Sequence, residues 1–332
     1  MKIIKMFVIL VIFSFFLVGC GNSNKEDILK NTIKKIESSK SYKLNGVLEI
    51  INNENSYLYD VDASYMKENN FRVSLKNKTN NHEQIILRNE EGVYVLTPSL
   101  NKSFKFQSEW PYNNSQSYIL QNIINDIKND SEYTIEEIEN NYIVTTKANY
   151  SNNKELINQK IYINKDATIF KIEVMDNNGL VKLKMDINSI DYNNDLNTDY
   201  FKLDNNMKVS AETEDTKTTS NITDIIYPMY IPENTYLSTQ DRVSKEDGER
   251  IILTFAGDNP FMLIQETISN NKSEVLPVYG EPFQLASTIG VIDETSLTWI
   301  NNGIEYYLVS NTLNQEQLID VANSLTVASI EK

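Results

Sequence analysis

The feature that most constrains this chain is an alternation of apolar and polar residues that starts at Tyr42 and recurs in short runs as far as Ile187. Tyr42, Leu44, Leu48 and Ile50 form the first run, Tyr57, Tyr59, Val61, Ala63 and Tyr65 the second, and Phe71, Val73 and Leu75 the third, with Asn- and Glu-rich turns between them. A period of two places one face of the chain in a core and the other in water, so each run reads as an antiparallel strand. Further strands are predicted at 85–88, 93–97, 103–107, 142–147, 156–163, 169–175 and 180–187, with Pro98–Lys102 and Asp176–Gly179 as turns. A sheet of about ten strands in one meander curls instead of lying flat.

Two stretches carry a helical period instead. Ile28, Leu29, Ile33 and Ile36 line one side of 24–40, ahead of the strands, and Ile119, Leu120, Ile123, Ile124 and Ile127 line one side of 117–128, in their middle. Residues 204–220 are nearly devoid of apolar side chains and read as a solvated linker. Beyond them, 221–332 holds strand-like runs at 250–255, 261–266, 288–292, 297–300 and 304–309. It closes on a helix with Asn314 as cap, Gln317 as its box partner, and Leu318, Val321, Ala322 and Leu325 as the buried stripe.

The front of the chain reads as an address. Lys2 and Lys5 precede a mostly apolar stretch from Met6 to Val18, too short for a comfortable membrane span, and then Leu17-Val18-Gly19-Cys20. That tetrapeptide looks like a bacterial lipobox. Residues 1–19 are accordingly expected to be a lipoprotein signal peptide, Cys20 the mature N-terminus bearing a diacylglyceryl thioether, and 20–23 a polar tether. Acyl chains contribute about 0.8 kcal/mol per buried methylene, so the expected location is the extracytoplasmic face of the membrane, held by lipid.

Charge narrows the partners. The 31 basic and 46 acidic residues give −15, and loss of the two leader lysines gives −17. Residues 20–220 hold 24 basic and 30 acidic residues, whereas 221–332 hold 5 and 16, so the C-terminal part is the acidic one. Nucleic acid needs a basic face and is not an expected partner.

With the parts in this order, the first module resembles the LolA-type lipoprotein carrier superfamily. The resemblance rests on the amphipathic helix leading into Ser41-Tyr42, the Phe71-Arg72-Val73 strand, the Glu91-Gly92-Val93-Tyr94 hairpin running to Pro98, and the closing pattern Asp176-Asn177-Asn178-Gly179, Asp191-Tyr192-Asn193 and Phe201. The second module is similar to a domain of unknown function found behind such a fold in lipoproteins of spore formers, through Leu297-Thr298-Trp299, Asn302-Gly303-Ile304-Glu305-Tyr306 and the terminal helix. The resemblance implies an α+β chain: a curved antiparallel half-barrel over 24–203 with helices on its concave face, then a smaller α+β domain over 221–332. Carriers of that superfamily are soluble, whereas this chain is expected to carry its own anchor. Relatives of this shape include sensors that restrain anti-sigma factors and a germination lipoprotein that binds a cell-wall amidase.

Little in the sequence points to catalysis. One cysteine and one histidine exclude most zinc and nucleophile chemistry, and no phosphate or dinucleotide fingerprint is present. Asp191 to Asp199 places oxygens at alternate positions as calcium loops do, but Leu196 and Lys202 stand where glycine and glutamate belong, so no metal is expected. His82 reads as a solvated loop residue. The pairs Glu90-Glu91, Glu136-Glu137 and Asp293-Glu294 match a glycosidase only in kind.

The remaining candidate is apolar: Phe104 and Phe106 on one strand face, running into Trp110-Pro111-Tyr112, as a ligand or partner site at the mouth of the half-barrel. The same phenylalanines also read as plain core. The expectation is thus a non-enzymatic lipoprotein without a cofactor that binds and regulates or scaffolds another envelope protein in sporulation or germination. The alternative is a carrier or sensor that takes lipid or acyl chains into the half-barrel, and a hydrolase is the third class.

Overall fold

A computed structural model describes residues 23–52, 55–150, 153–192, 194–208, 221–246, 248–268 and 274–327. The leader, Cys20 and most of the expected linker lie outside the described residues.

Helix α1 (Ser23–Ser38) leads into a run of six antiparallel strands: β1 (Ser41–Asn52), β2 (Asn55–Met66), β3 (Asn70–Asn77), β4 (Glu83–Asn89), β5 (Gly92–Thr97) and β6 (Lys102–Phe106). The chain then crosses over through helix α2 (Leu120–Asn129). It returns as β7 (Thr134–Ile138), β8 (Asn141–Lys147), β9 (Asn158–Asn164), β10 (Ile169–Met175) and β11 (Val181–Asp191). β11 pairs with β1, so the sheet runs β6-β5-β4-β3-β2-β1-β11-β10-β9-β8-β7 and stays open at both ends. This is the curved half-barrel.

Its topology explains why the second helix must cross the concave face: the two strands it links, β6 and β7, lie toward opposite edges of one sheet. Leu120, Ile123, Ile124 and Ile127 of α2 and Leu29 and Ile36 of α1 share one core with Leu44, Leu48, Val61, Val73, Val144, Ile161 and Ile172 from the strands. Full burial of such side chains contributes about 1.5–3 kcal/mol each. The C-terminal end of α2 is pinned by Asp130, whose carboxylate accepts from the Lys147 N–H at 2.9 Å, the Glu132 N–H at 3.0 Å and the Thr146 hydroxyl at 3.0 Å. These bonds hold its carboxyl below the usual aspartate range.

Two local devices shape the sheet. Gly46 sits where the β1–β11 register shifts, and a Cβ there would collide with the Asp186 carbonyl. The expected turn at Asp176–Gly179 forms because the Asp176 carboxylate accepts from the N–H groups of Asn178 and Leu180, both at 2.9 Å, while Gly179 takes a φ of +77°.

After a 3₁₀ turn at Thr198–Phe201, a turn of helix α3 (Leu203–Asn206) occupies the start of the segment expected as a linker. Phe201 buries itself against Ile85, Leu87, Tyr94 and Leu96 on the outer face of β4 and β5. Leu203 and Met207 pack on the same cluster.

The C-terminal part adds β12 (Ile226–Pro228), β13 (Thr235–Lys245), β14 (Gly248–Gly257), β15 (Phe261–Thr267), β16 (Glu274–Val278), β17 (Glu281–Gln284), β18 (Ile289–Ile292), β19 (Ser296–Asn301) and β20 (Ile304–Val309), then helix α4 (Gln315–Asn323) and β21 (Leu325–Val327). Seven of these strands form a second sheet, β13-β14-β15-β20-β19-β18-β17, and β12 pairs with β21 in a short ribbon. The capping box forms as expected: Asn314 Oδ1 accepts from Gln317 N at 2.9 Å, and Gln317 Oε1 accepts from Asn314 N at 3.0 Å.

The two parts share a sheet and a core. β16 leaves the C-terminal part and joins the half-barrel sheet, parallel to β6, with Leu276 opposite Phe104 and Val278 opposite Phe106. Ile268, Ile289, Val291 and Ile300 belong to the half-barrel core. Pro277 fits an edge position, where its missing N–H costs no ladder bond.

A cavity with an acidic lip between half-barrel and C-terminal sheet

The seam between the two sheets is built from polar side chains gripping backbone. Gln84 on β4 donates from Nε2 to the Ile289 carbonyl at 3.1 Å and accepts the Ile289 N–H at Oε1 at 2.6 Å, and the Thr288 hydroxyl lies 2.8 Å from the same Oε1. The Tyr59 hydroxyl donates to the Ala286 carbonyl at 2.8 Å, and Ser108 bonds the carboxylate of Glu281. Every one of these partners on the C-terminal side lies between 281 and 289.

Beside these contacts lies a cavity of about 180 Å³. From the half-barrel it is walled by Ile50, Ile86, Trp110, Tyr118 and Leu156, and from the C-terminal part by Phe283, Ile289 and Ile319. Helix α4 presents Glu316, Ile319, Asp320 and Asn323 to it, a spacing of three and four residues that makes one helix face. Its other face, Leu318, Val321 and Ala322, packs into the core of the C-terminal sheet.

The lip is acidic. Glu155, Glu316 and Asp320 line it, with Lys182 as the single basic side chain among the lining residues. Lys182 faces the Asp176 carboxylate at 3.7 Å. Partial burial of Asp320, reinforced by the negative charges of Glu316 and Glu155, pushes its carboxyl up to about 6. Gln284 Oε1, also in the lining, is buried and accepts no hydrogen bond.

Of the four aromatic residues expected to form a binding site, three are core. Phe104 and Phe106 are buried in the half-barrel core, and Trp110 is 1% exposed, with an edge-on contact to Phe71 at 6.2 Å. Trp110 also lines the cavity. Tyr112 is 44% exposed; its hydroxyl donates to Asn69 Oδ1 at 2.6 Å and its ring lies 5.2 Å beneath the Arg88 guanidinium. The structure brings Trp110 into the buried cavity wall and leaves the phenylalanines in the core at the sheet edge.

His82 departs from its expected solvated place. Burial lowers its pKa below the ordinary value, and its Nε2 is buried without a hydrogen-bond partner. The turn before it meets the C-terminal part, where Asn80 donates to Asn302 Oδ1 at 3.4 Å. In the Asp191–Asp199 loop, Asn197 caps the following 3₁₀ turn by accepting from Tyr200 N. Asp293 folds its own turn, accepting from the N–H groups of Thr295 at 2.8 Å and Ser296 at 2.7 Å. Among the described residues no group of three or more His, Cys, Asp or Glu side chains is placed to hold a metal ion, and no helix is long and apolar enough to cross a membrane.

Sequence reasoning missed the cavity because its walls come from seven separate segments of the chain. A trace was present in the polar positions 316, 320 and 323 beside the buried stripe of the last helix.

No protein-family model matches the chain. Solved structures similar to it include the complex of MucA and MucB from Pseudomonas aeruginosa, at 11% identity and a TM-score of 0.32 over 91% of this chain and 99% of that one. A chain from the complex of the CwlD amidase of Clostridioides difficile with the GerS lipoprotein is 17% identical, with a TM-score of 0.31 over 54% and 100%. A LolA superfamily protein from Nitrosomonas europaea is 12% identical, with a TM-score of 0.33 over 55% and 99%. At these identities and scores the likenesses carry nothing about partner or activity. The sporulation protein YdcC of Bacillus subtilis (strain 168) is another matter: it is 36% identical over 332 residues that span 98% of both chains. Identity of that degree over that length means that this chain belongs to the same protein family as Bacillus subtilis YdcC.

Proposed function

We propose that this protein is a lipid-anchored, extracytoplasmic protein of sporulating cells that acts by binding another envelope protein and catalyses no reaction itself. The observation that carries the binding reading is the filled concave face. Side chains of α1, α2 and Trp110 occupy the space where a carrier of the same architecture needs an open apolar trough. Membership of a family that includes a sporulation protein supports the setting. The partner classes in view are a cell-wall amidase and a regulator of a sigma factor.

Anchoring at Cys20 would leave three residues to the start of α1 at Ser23, a reach of about 10 Å. The N-terminal end of α1 and the edge strand β7, joined by the bond from Lys25 Nζ to the Ile135 carbonyl, would then lie next to the bilayer. Replacing Cys20 by alanine is expected to move the protein from the membrane fraction to the soluble one.

The test is crosslinking of the anchored protein in sporulating cells with mass spectrometry of what is captured. Specific recovery of one envelope protein supports the reading. Recovery of none, with the chain expressed and folded, overturns it. A second reading, an acyl ligand, draws on the seam cavity alone. At about 180 Å³ it is smaller than the usual small-molecule pocket of about 300–1,000 Å³, so it accommodates a short tail and not a full acyl chain. Co-purification of lipid with protein lacking residues 1–20 would favour that reading.

A further inference from the structure

We infer that the seam cavity receives a basic side chain, a lysine or arginine with its apolar stem, from the protein partner. This rests on the partner-binding reading and deepens it by assigning the chemistry of the contact.

Two observations converge on such a side chain. The buried Trp110, Tyr118, Phe283 and Ile319 give the cavity an apolar wall, and its volume suits one long side chain. Its lip carries the exposed Glu155, Glu316 and Asp320, while Lys182 is engaged by Asp176. A lysine or arginine matches both: its methylene stem lies along the apolar wall, and its head offers positive charge and donors only, three on an ammonium and five on a guanidinium. A fatty acid fits the wall and is repelled by the lip. A neutral tail leaves the carboxylates without a counter-charge.

The lip also has the character of a site kept for binding. Three carboxylates gathered around one partly buried helix face repel each other, an arrangement that lowers stability until a cation arrives.

Hexylammonium, hexanoate and hexanol, equal in apolar length and differing in charge, are the probes. They are titrated into protein lacking residues 1–20 and followed by chemical shifts of the Trp110 indole. Hexylammonium is expected to bind at least about tenfold more tightly than hexanoate, with hexanol between them. The double variant Glu316→Gln, Asp320→Asn is expected to lose about tenfold in hexylammonium affinity while melting at or above the wild-type temperature, which separates loss of the site from loss of the fold. Equal binding of the three probes, preference for hexanoate, or a double variant that binds hexylammonium unchanged overturns the inference.

Crosslinking in cells separates this from the reading beneath it. If wild type captures a partner and the triple variant Glu155→Gln, Glu316→Gln, Asp320→Asn captures as much, the cavity assignment fails and the binding function stands. If wild type captures nothing, the binding function itself fails.

Discussion

Gln84 and Ile289 lie 205 residues apart in sequence, and the side-chain amide of the first pairs with both backbone polar groups of the second, at 3.1 Å and 2.6 Å. Gln84 is 4% exposed, so neither group of Ile289 has water to turn to. The amide does the work of a neighbouring strand at a place where the two sheets meet without sharing a ladder. The same device recurs inside the C-terminal part, where Gln265 grips the backbone of Ile226 at 2.7 Å and 3.0 Å.

Replacement Gln84→Met keeps the length of the side chain and removes both polar atoms. Two buried backbone groups then go unpaired, at about 1–3 kcal/mol each, so a loss of about 2–4 kcal/mol is expected in urea unfolding. A loss below about 0.5 kcal/mol would mean that water or a neighbouring group replaces the amide.

Trp110 and Tyr112 sit two residues apart and are expected to behave differently. Trp110→Ala removes a fully buried ring and should cost about 3–5 kcal/mol. Tyr112→Ala removes an exposed ring and one hydrogen bond, and should cost about 1 kcal/mol. Similar losses at both positions would contradict the core assignment of Trp110.

Asp320 gives a pH signature with a definite sign. Its folded carboxyl titrates near 6 against an ordinary 3.8, so between these values the folded state holds more of this proton than the unfolded state. Its contribution to stability is therefore greatest below the ordinary value and is lost as pH rises through about 6. Glu155 and Glu316 face it from the lip, and Lys182 is the basic group across the cavity. Thermal melts of Asp320→Asn should exceed wild type at pH 7.5, with the gap closing as pH falls. A gap independent of pH would show that Asp320 does not titrate as placed.

His82 has the opposite sign. Burial disfavours its charged form and outweighs the attraction of Glu83, so its folded pKa lies below the ordinary 6.5. The unfolded chain takes up this proton first as pH falls, and the stability associated with the neutral ring is lost on going below the ordinary value. As the single histidine of the chain, its ring protons can be followed by NMR without assignment. The midpoint should fall below 6.5; a midpoint above it would place the ring in water or beside a dominant carboxylate.

Most strands of the half-barrel were legible from their apolar periodicity, most cleanly in β8 and β9, whose buried positions are every second residue. Six strands were not, among them β12 and β21, each three residues long. β7 has only Ile135 and Ile138 as apolar residues, and β13 is exposed along nearly its whole length, so neither carries a burial period. β16 contains Pro277, a residue that argues against a strand unless the strand lies at an edge, and β17 is four residues long. Their pairing comes from neighbouring backbone, which leaves no mark on side-chain pattern.

What the chain determined by itself is local: the period-two runs, the two amphipathic helices, the Asp176–Gly179 turn and the Asn314–Gln317 box, each specified by residues within a few positions of one another. The tertiary structure decided what depends on distant segments meeting. It returned β16 to the half-barrel edge, beside Phe104 and Phe106 in the core, and it half-buried His82. It also set Glu155 from the turn between β8 and β9 opposite Glu316 and Asp320 from the last helix, around a cavity lined by both parts. Hydrophobic periodicity records which side of an element is buried but not against what, and a site formed between elements has no period to read.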